Sequence, residues 1–187
     1  MSSLVGLVKS CYHGLNNTIR RSRGEDMRFY ADGFPIDAWM DKSYDEWFHA
    51  HKAGEAELAR QREAWVDFSI QPTFSFIVPL YNSPSEYLHT MVDSVLAQTY
   101  PNLQLVLVNA SPELEALSAE VAAYCTQDAR ITVVDLEDNL GITENTNAGL
   151  EVATGEFCCF LDHDDAIEPS LLFEYVSAIN ENPEIDV

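Results

Sequence analysis

From residue 72 onward, short apolar runs alternate with stretches in which apolar residues recur every three or four positions. The runs Phe74–Val78, Leu103–Val108, Ile131–Asp135 and Glu156–Leu161 have the length and composition of buried strands. Between the first two, Leu88, Met91, Val92, Val95 and Leu96 fall on one face of a helix. Ser83-Pro84-Ser85-Glu86 supplies an N-cap, a first-turn proline and an N3 glutamate for that helix, which runs to about Gln98 before the break at Pro101-Asn102. Further helices are predicted from Pro112 to about Cys125 and from Glu144 to Ala153, with Pro169 opening another.

The region before residue 72 reads differently. Residues 43–66 have helical character: Ser43 with Glu46 makes a capping-box pattern, Glu55 to Arg62 is rich in helix formers, and Gly54 divides the stretch in two. Trp47, Phe48, Leu58 and Trp65 are expected to pack it onto the main domain. Residues 1–30 are polar and mildly basic, with Arg20, Arg21, Arg23 and Arg28 close together, and read as a loosely packed leader. The expected division is 1–71, a leader with a helical extension, and 72–187, the main domain.

Strands alternating with helices of ten to fifteen residues imply right-handed βαβ units, hence an α/β fold with a mainly parallel sheet flanked by helices. Such a sheet brings the loops after all four strands to one edge: Tyr81-Asn82, Asn109-Ala110-Ser111, Asp138-Asn139 and Asp162 to Asp165. Ligands bind at that edge in open α/β sheets. Neither GxxxxGK[ST] nor GxGxxG occurs, which argues against a P-loop NTPase or a dinucleotide-binding dehydrogenase.

Charge narrows the chemistry. Of a net charge of −21, residues 63–187 carry 22 Asp and Glu against the single base Arg130. Nucleic acid, which needs clustered Lys and Arg, is not expected as a partner, and any phosphate bound by this part must be neutralised by a metal, by backbone N–H groups or by residues this chain lacks. Cys11, Cys125, Cys158 and Cys159 lack metal-ligand spacing and read as reduced core thiols. No window holds about 18 uninterrupted apolar residues and no signal-peptide pattern opens the chain, so a cytoplasmic protein is expected.

The apolar run Phe157-Cys158-Cys159-Phe160-Leu161 ends in Asp162-His163-Asp164-Asp165. Carboxylates are hard ligands, and a pair two residues apart leaving a strand can converge on Mg2+ or Mn2+ with positions left open. A solvated turn is the plainer reading of the same residues.

Five segments together carry a family resemblance. Phe76-Ile77-Val78-Pro79-Leu80-Tyr81-Asn82, Ser94-Val95-Leu96-Ala97-Gln98-Thr99-Tyr100-Pro101-Asn102, Asn139-Leu140-Gly141-Ile142, Ala153-Thr154-Gly155-Glu156 and Leu161-Asp162-His163-Asp164-Asp165 resemble, in order and spacing, family 2 glycosyltransferases of the GT-A fold. The segment around Trp47 to Trp65 is similar to the lead-in of rhamnosyltransferase-like members that assemble polysaccharides. The resemblance implies a Rossmann-like GT-A domain, incomplete at its C-terminal side, that binds a UDP- or dTDP-sugar.

It also implies roles by position. Pro79 and Tyr81 would hold the base, and Asn109 stands where the family usually has a base-reading aspartate. Asp138, Asn139 and Gly141 would lie near base and ribose, and Asn145 and Asn147 sit where many relatives place an arginine. Asp162 would contact ribose or the metal shell, Asp164 would be the principal ligand of Mg2+ or Mn2+, and His163 would position by hydrogen bonding. The implied reaction is inverting transfer of a sugar to a glycan or glycolipid acceptor, with peripheral contact at the inner membrane face as the one membrane role left open. The catalytic base is expected beyond Val187. A GT-A-like module that binds or regulates without catalysis is the alternative.

Overall fold

The structure is a computed structural model that describes residues 42–184, with side chains from residue 46 onward. The basic leader, Cys11 and the Ser43 side chain lie outside the described residues. Helix α1, Lys42–His51, belongs to a unit ending at Lys52. Within it the Trp47 and His51 rings stack at 4.7 Å. A second unit starts at Ala53 and holds everything that follows. Gly54 is the N-cap of α2, Glu55–Ala64, so the glycine does separate two helices. A 3-10 turn, Trp65–Asp67, leads to the sheet.

Four strands form that sheet: β1 Phe74–Leu80, β2 Leu103–Asn109, β3 Ile131–Asp135 and β4 Phe157–Phe160. All are parallel, in the order β3-β2-β1-β4. Their connections are α3 Ser85–Leu96, α4 Glu115–Gln127 and α5 Ile142–Leu150, and α6 Leu171–Glu181 follows β4. The chain steps outward from β1 to β3 and then crosses to the other side of β1. This reversal places the switch point, where α/β sheets open a ligand crevice, between the carboxyl ends of β1 and β4.

The two faces of the sheet are covered unequally. Phe74, Phe76, Val78 and Leu80 of β1, with Leu105 and Leu107 of β2, pack against Leu88, Met91, Val92 and Val95 of α3, Leu117 and Val121 of α4 and Leu172, Phe173, Val176 and Ile179 of α6. Trp65 and Phe68 join this cluster, Trp65 meeting Tyr100 edge to face, and Leu58 is buried as expected. Opposite them Ile77, Val106 and Val108 are covered by α5. A Cβ on Gly149 would come within 2.5 Å of Ile77 Cγ2, so the missing side chain is what lets α5 sit so close. Gly155, before β4, has the same role toward backbone: its Cβ would lie 2.7 Å from Ser75 N and from Thr73 O.

Two local expectations are corrected. Ser83 does not cap α3: the cap position is Pro84, extended at φ −64 and ψ 140, and its carbonyl accepts from the N–H groups of Tyr87 and Leu88. Ser83 therefore sits one residue too early to reach an orphan N–H, and its buried Oγ has no partner. The cysteines are not uniformly core thiols. Cys125, on α4, is exposed; Cys158 is exposed and Cys159 half-buried because β4 forms one end of the described sheet and alternate residues on it face outward. Burial, with a smaller contribution from Cys158, pushes the Cys159 thiol up to about 11, which keeps it protonated and unreactive.

Candidate functional site

Parallel pairing puts the four loops that follow the strands on one edge, as the alternating pattern implies. They are laced together rather than merely adjacent. Ala110 N–H donates to Leu80 O at 2.9 Å, Leu136 N–H to Asn109 O at 2.9 Å and Leu161 N–H to Ile77 O at 3.2 Å. Asn82 N–H donates to Ser111 Oγ at 2.9 Å, tying the loop after β1 to the loop after β2. Asn82 is the one described non-glycine residue with positive φ, at 50°. Left-handed backbone is tolerated best by residues such as Asn and favours a functional reading when it recurs at a crevice. Next to it Tyr81 is 49% exposed, an aromatic ring at the mouth of the crevice. Pro79 is half-buried inside β1, so it shapes the strand end from within.

Asn109, the last residue of β2, is 1% exposed and its amide is fully occupied as a donor. Nδ2 donates to Ser118 Oγ at 3.0 Å and to Asp135 Oδ1 at 2.9 Å, while Oδ1 accepts from Ser111 N–H at 3.2 Å. A primary amide has two donor hydrogens, and both are committed. Asn145 is similarly internal, at 2% exposure: Nδ2 donates to Asn139 Oδ1 at 2.9 Å and Oδ1 accepts from Leu140 N–H at 3.1 Å. Asn139 Oδ1 also accepts from Gly141 N–H, and Gly141 adopts φ 91, so Asn139, Gly141 and Asn145 form one preset loop ahead of α5. Asp138 and Asn147 are exposed on either side of it.

At the β4 end the polar groups face solvent. Asp162, Asp164 and Asp165 are exposed and His163 is half-buried. The segment turns at His163-Asp164, closed by Asp165 N–H donating to Asp162 O at 3.2 Å, instead of continuing extended from the strand. Among the described residues, no three His, Cys, Asp or Glu side chains gather closely enough to hold a metal ion by themselves. From residue 63 on, the single Lys or Arg is Arg130. Arg130 precedes β3 at the opposite, amino edge, where it pairs with Asp128 at 2.8 Å and its hydrogen bonds hold that carboxyl below the usual range.

Other side chains fix this acidic turn, and the sequence alone did not single them out for that role. Gln98 Nε2 donates to Glu168 O at 2.8 Å, and its Oε1 accepts from Leu172 N–H at 3.0 Å, at the start of α6. Ser94 Oγ accepts from Ile167 N–H at 3.2 Å, and Thr99 N–H donates to Pro169 O at 2.8 Å. The segment from Ser94 to Thr99 thus acts as a clamp on the chain just after the aspartates. In the sequence this segment stands out as part of the run from Ser94 to Asn102 that carries the family resemblance, but nothing in that run shows what it grips.

Relatives give this geometry a family. A family model described as glycosyl transferase family 2 matches residues 75–187, more than half of the chain. The chain belongs to glycosyl transferase family 2. This family 2 chain is 35% identical over 103 residues to the putative glycosyltransferase EpsH of Bacillus subtilis, an alignment covering 52% of this chain and 28% of that protein. With glycosyltransferase GlyG of Streptococcus pneumoniae it shares 33% over 99 residues, 52% of this chain and 32% of the relative. The crystal structure of S. aureus TarS 1-349 in complex with UDP superposes with a TM-score of 0.53 at 32% identity, covering 59% of this chain and 33% of TarS 1-349. The mannosyltransferase PcManGT from Pyrobaculum calidifontis, solved with GDP-Man and Mn2+, shares the fold at a TM-score of 0.51 and 21% identity. The parallel sheet flanked by helices is therefore the GT-A arrangement of family 2, and the chain spans about a third of the length of EpsH, GlyG and TarS 1-349.

Proposed function

We propose that this chain is the donor-binding part of a family 2 glycosyltransferase that moves a sugar, with inversion, from a nucleoside diphosphate to a glycan or glycolipid acceptor in polysaccharide assembly. The observation that carries the proposal is the polarity of the edge. One end has preset loops around Tyr81, Asn109, Asn139 and Asn145, and the other has exposed Asp162 and Asp164, while Arg130, the single Lys or Arg from residue 63 on, pairs with Asp128 at the opposite edge. TarS 1-349, a relative at 32% identity, has been solved with UDP and with UDP-GlcNAc. The donor proposed here is a uridine or thymidine diphosphate sugar. Pro79 and Tyr81 would shape the base end, Asp138, Asn139 and Gly141 the ribose side, and Asn147 the first turns of α5.

A divalent cation fits the donor set at the other end. Asp162 and Asp164 offer hard oxygen ligands, exposed and too few to form a closed cage, which leaves coordination positions for diphosphate oxygens. When bound, Mg2+ or Mn2+ would supply charge neutralisation for the leaving diphosphate. The chain's own contribution is to hold the nucleotide along the edge and to present its anomeric carbon to the acceptor side, with His163 positioning by hydrogen bonding. In the transfer the acceptor hydroxyl oxygen bonds to the anomeric carbon while the bond to the diphosphate oxygen breaks. Its electron pair leaves with the nucleotide, and the hydroxyl proton passes to a carboxylate base. No residue of this chain is assigned as that base.

The domain boundary near residue 71 is proposed as the start of this donor part, and the site of action as the cytoplasmic side, at the inner membrane face. None of the described helices is long and apolar enough to cross a membrane. The test is calorimetric titration of UDP with Mn2+ into the protein and into Asp164→Ala. Binding to the wild type that falls at least about tenfold in the variant supports the proposal. Equal binding by both removes Asp164 from the metal site, and absence of binding to the folded wild type favours a non-catalytic module.

A further inference from the structure

The carboxyl edge carries a carboxylate that the roles above leave unused. Asp135, the last residue of β3, is the register partner of Asn109 and is exposed. Its Oδ1 accepts from Asn109 Nδ2 at 2.9 Å, and its Oδ2 has no protein partner among the described residues. Asn109 is itself fixed by Ser111 and Ser118, so one buried amide holds one oxygen of an exposed carboxylate. The buried partner has no N–H left to offer a ligand. The carboxylate does have a free acceptor.

Position also matters. β3 and β4 are the two ends of a four-stranded sheet, three strand spacings or about 14 Å apart. That is the reach of an extended nucleoside diphosphate with its phosphates at Asp162 and Asp164. We propose that Asp135, held in place by Asn109, is the side chain that reads the nucleobase of the donor. This inference rests on the donor-binding reading above. A carboxylate only accepts hydrogen bonds. It therefore selects a base whose ring nitrogen carries hydrogen beside a carbonyl, as in uracil, thymine and guanine. Cytosine and adenine present a bare ring nitrogen there, so a carboxylate held opposite that position meets an acceptor and pairs only if the base shifts to bring its exocyclic amino group round.

The test is titration of UDP, dTDP, GDP, CDP and ADP, each with Mn2+, into the protein and into Asp135→Asn. Asparagine keeps an oxygen acceptor for Asn109 Nδ2, so the substitution alters the free side of the group and preserves its anchor; an unchanged melting temperature checks this. The wild type is expected to bind UDP about tenfold or more tightly than CDP. In Asp135→Asn the ratio should fall to about twofold or less, because an amide can turn either a donor or an acceptor to the base. The dTDP and GDP arms identify which of the N–H-bearing bases the edge admits. A UDP to CDP ratio that survives the substitution, or a wild type that binds both equally, overturns the role of Asp135 while leaving nucleotide binding intact. A wild type that binds none of the five overturns the donor-binding reading together with it.

Discussion

The two ends of the carboxyl edge are built on opposite principles. At the β2 and β3 end, Asn109 and Asn145 are buried and their side chains satisfied by the protein, so the loops around them are set before any ligand arrives. At the β4 end, three aspartates within four residues face solvent, and only the backbone around them is held, through Ser94, Gln98 and Thr99. Buried amides in closed networks give rigidity because leaving any partner unmatched costs free energy. Exposed like charges give the reverse, a place whose electrostatics the proposed cation would complete. The difference predicts that the first end governs folding and the second governs binding.

Asn109→Ala should break the comparison most severely. It strips partners from the buried Ser111 N–H and from the half-buried Ser118 Oγ and exposed Asp135. The expected loss is about 3 kcal/mol of unfolding free energy, read by urea denaturation. Gln98→Ala comes next, at about 2 kcal/mol, since it leaves Leu172 N–H and Glu168 O without their side-chain partner. A loss near zero there would mean that the acidic turn is not clamped.

The carboxylates themselves should matter far less to the fold. Asp162→Asn combined with Asp164→Asn is expected to change unfolding free energy by no more than about 0.5 kcal/mol, while removing the metal dependence of UDP binding. A large destabilisation would place these aspartates among the structural residues and erase the contrast. The smallest effect concerns the amino edge. Arg130 holds the Asp128 carboxyl low, so that pair contributes stability above the ordinary Asp value of about 3.9 and loses it as pH falls through the lower folded value. Arg130→Gln should remove about 0.5 kcal/mol at neutral pH and nothing once Asp128 is protonated in both states. Denaturation curves at neutral and strongly acidic pH check the sign.

Much of this organisation is legible in the sequence where a signal is local. The apolar runs at Phe74, Leu103 and Ile131 predict β1, β2 and β3, and Gly54 marks a helix boundary, because strand length, side-chain periodicity and glycine are all encoded within a few neighbours. The placement of four loops on one edge follows from alternation alone. What depends on distant partners is not legible. Asn109 meets Asp135 across 26 residues and Gln98 meets Leu172 across 74, so neither the saturation of the amide nor what the segment from Ser94 to Asn102 grips can be read from neighbouring residues. The exposure of Cys158 and Phe160 belongs to the same class. An apolar run looks identical whether its strand lies at the centre of a sheet or at its end, and only the order β3-β2-β1-β4 decides. Ser83 shows the reverse error, a strong local cap signal displaced by the extended proline that follows it.

The measurement that bears most directly on the division of the edge is a calorimetric comparison of uridine with UDP, each titrated into the protein with Mn2+ and again in excess EDTA. The account predicts that Mn2+ strengthens UDP binding by about tenfold or more and leaves uridine binding unchanged, because on the proposed reading the base end needs no cation and the diphosphate end does. UDP bound equally well in EDTA, or uridine that gains as much as UDP from Mn2+, would contradict it.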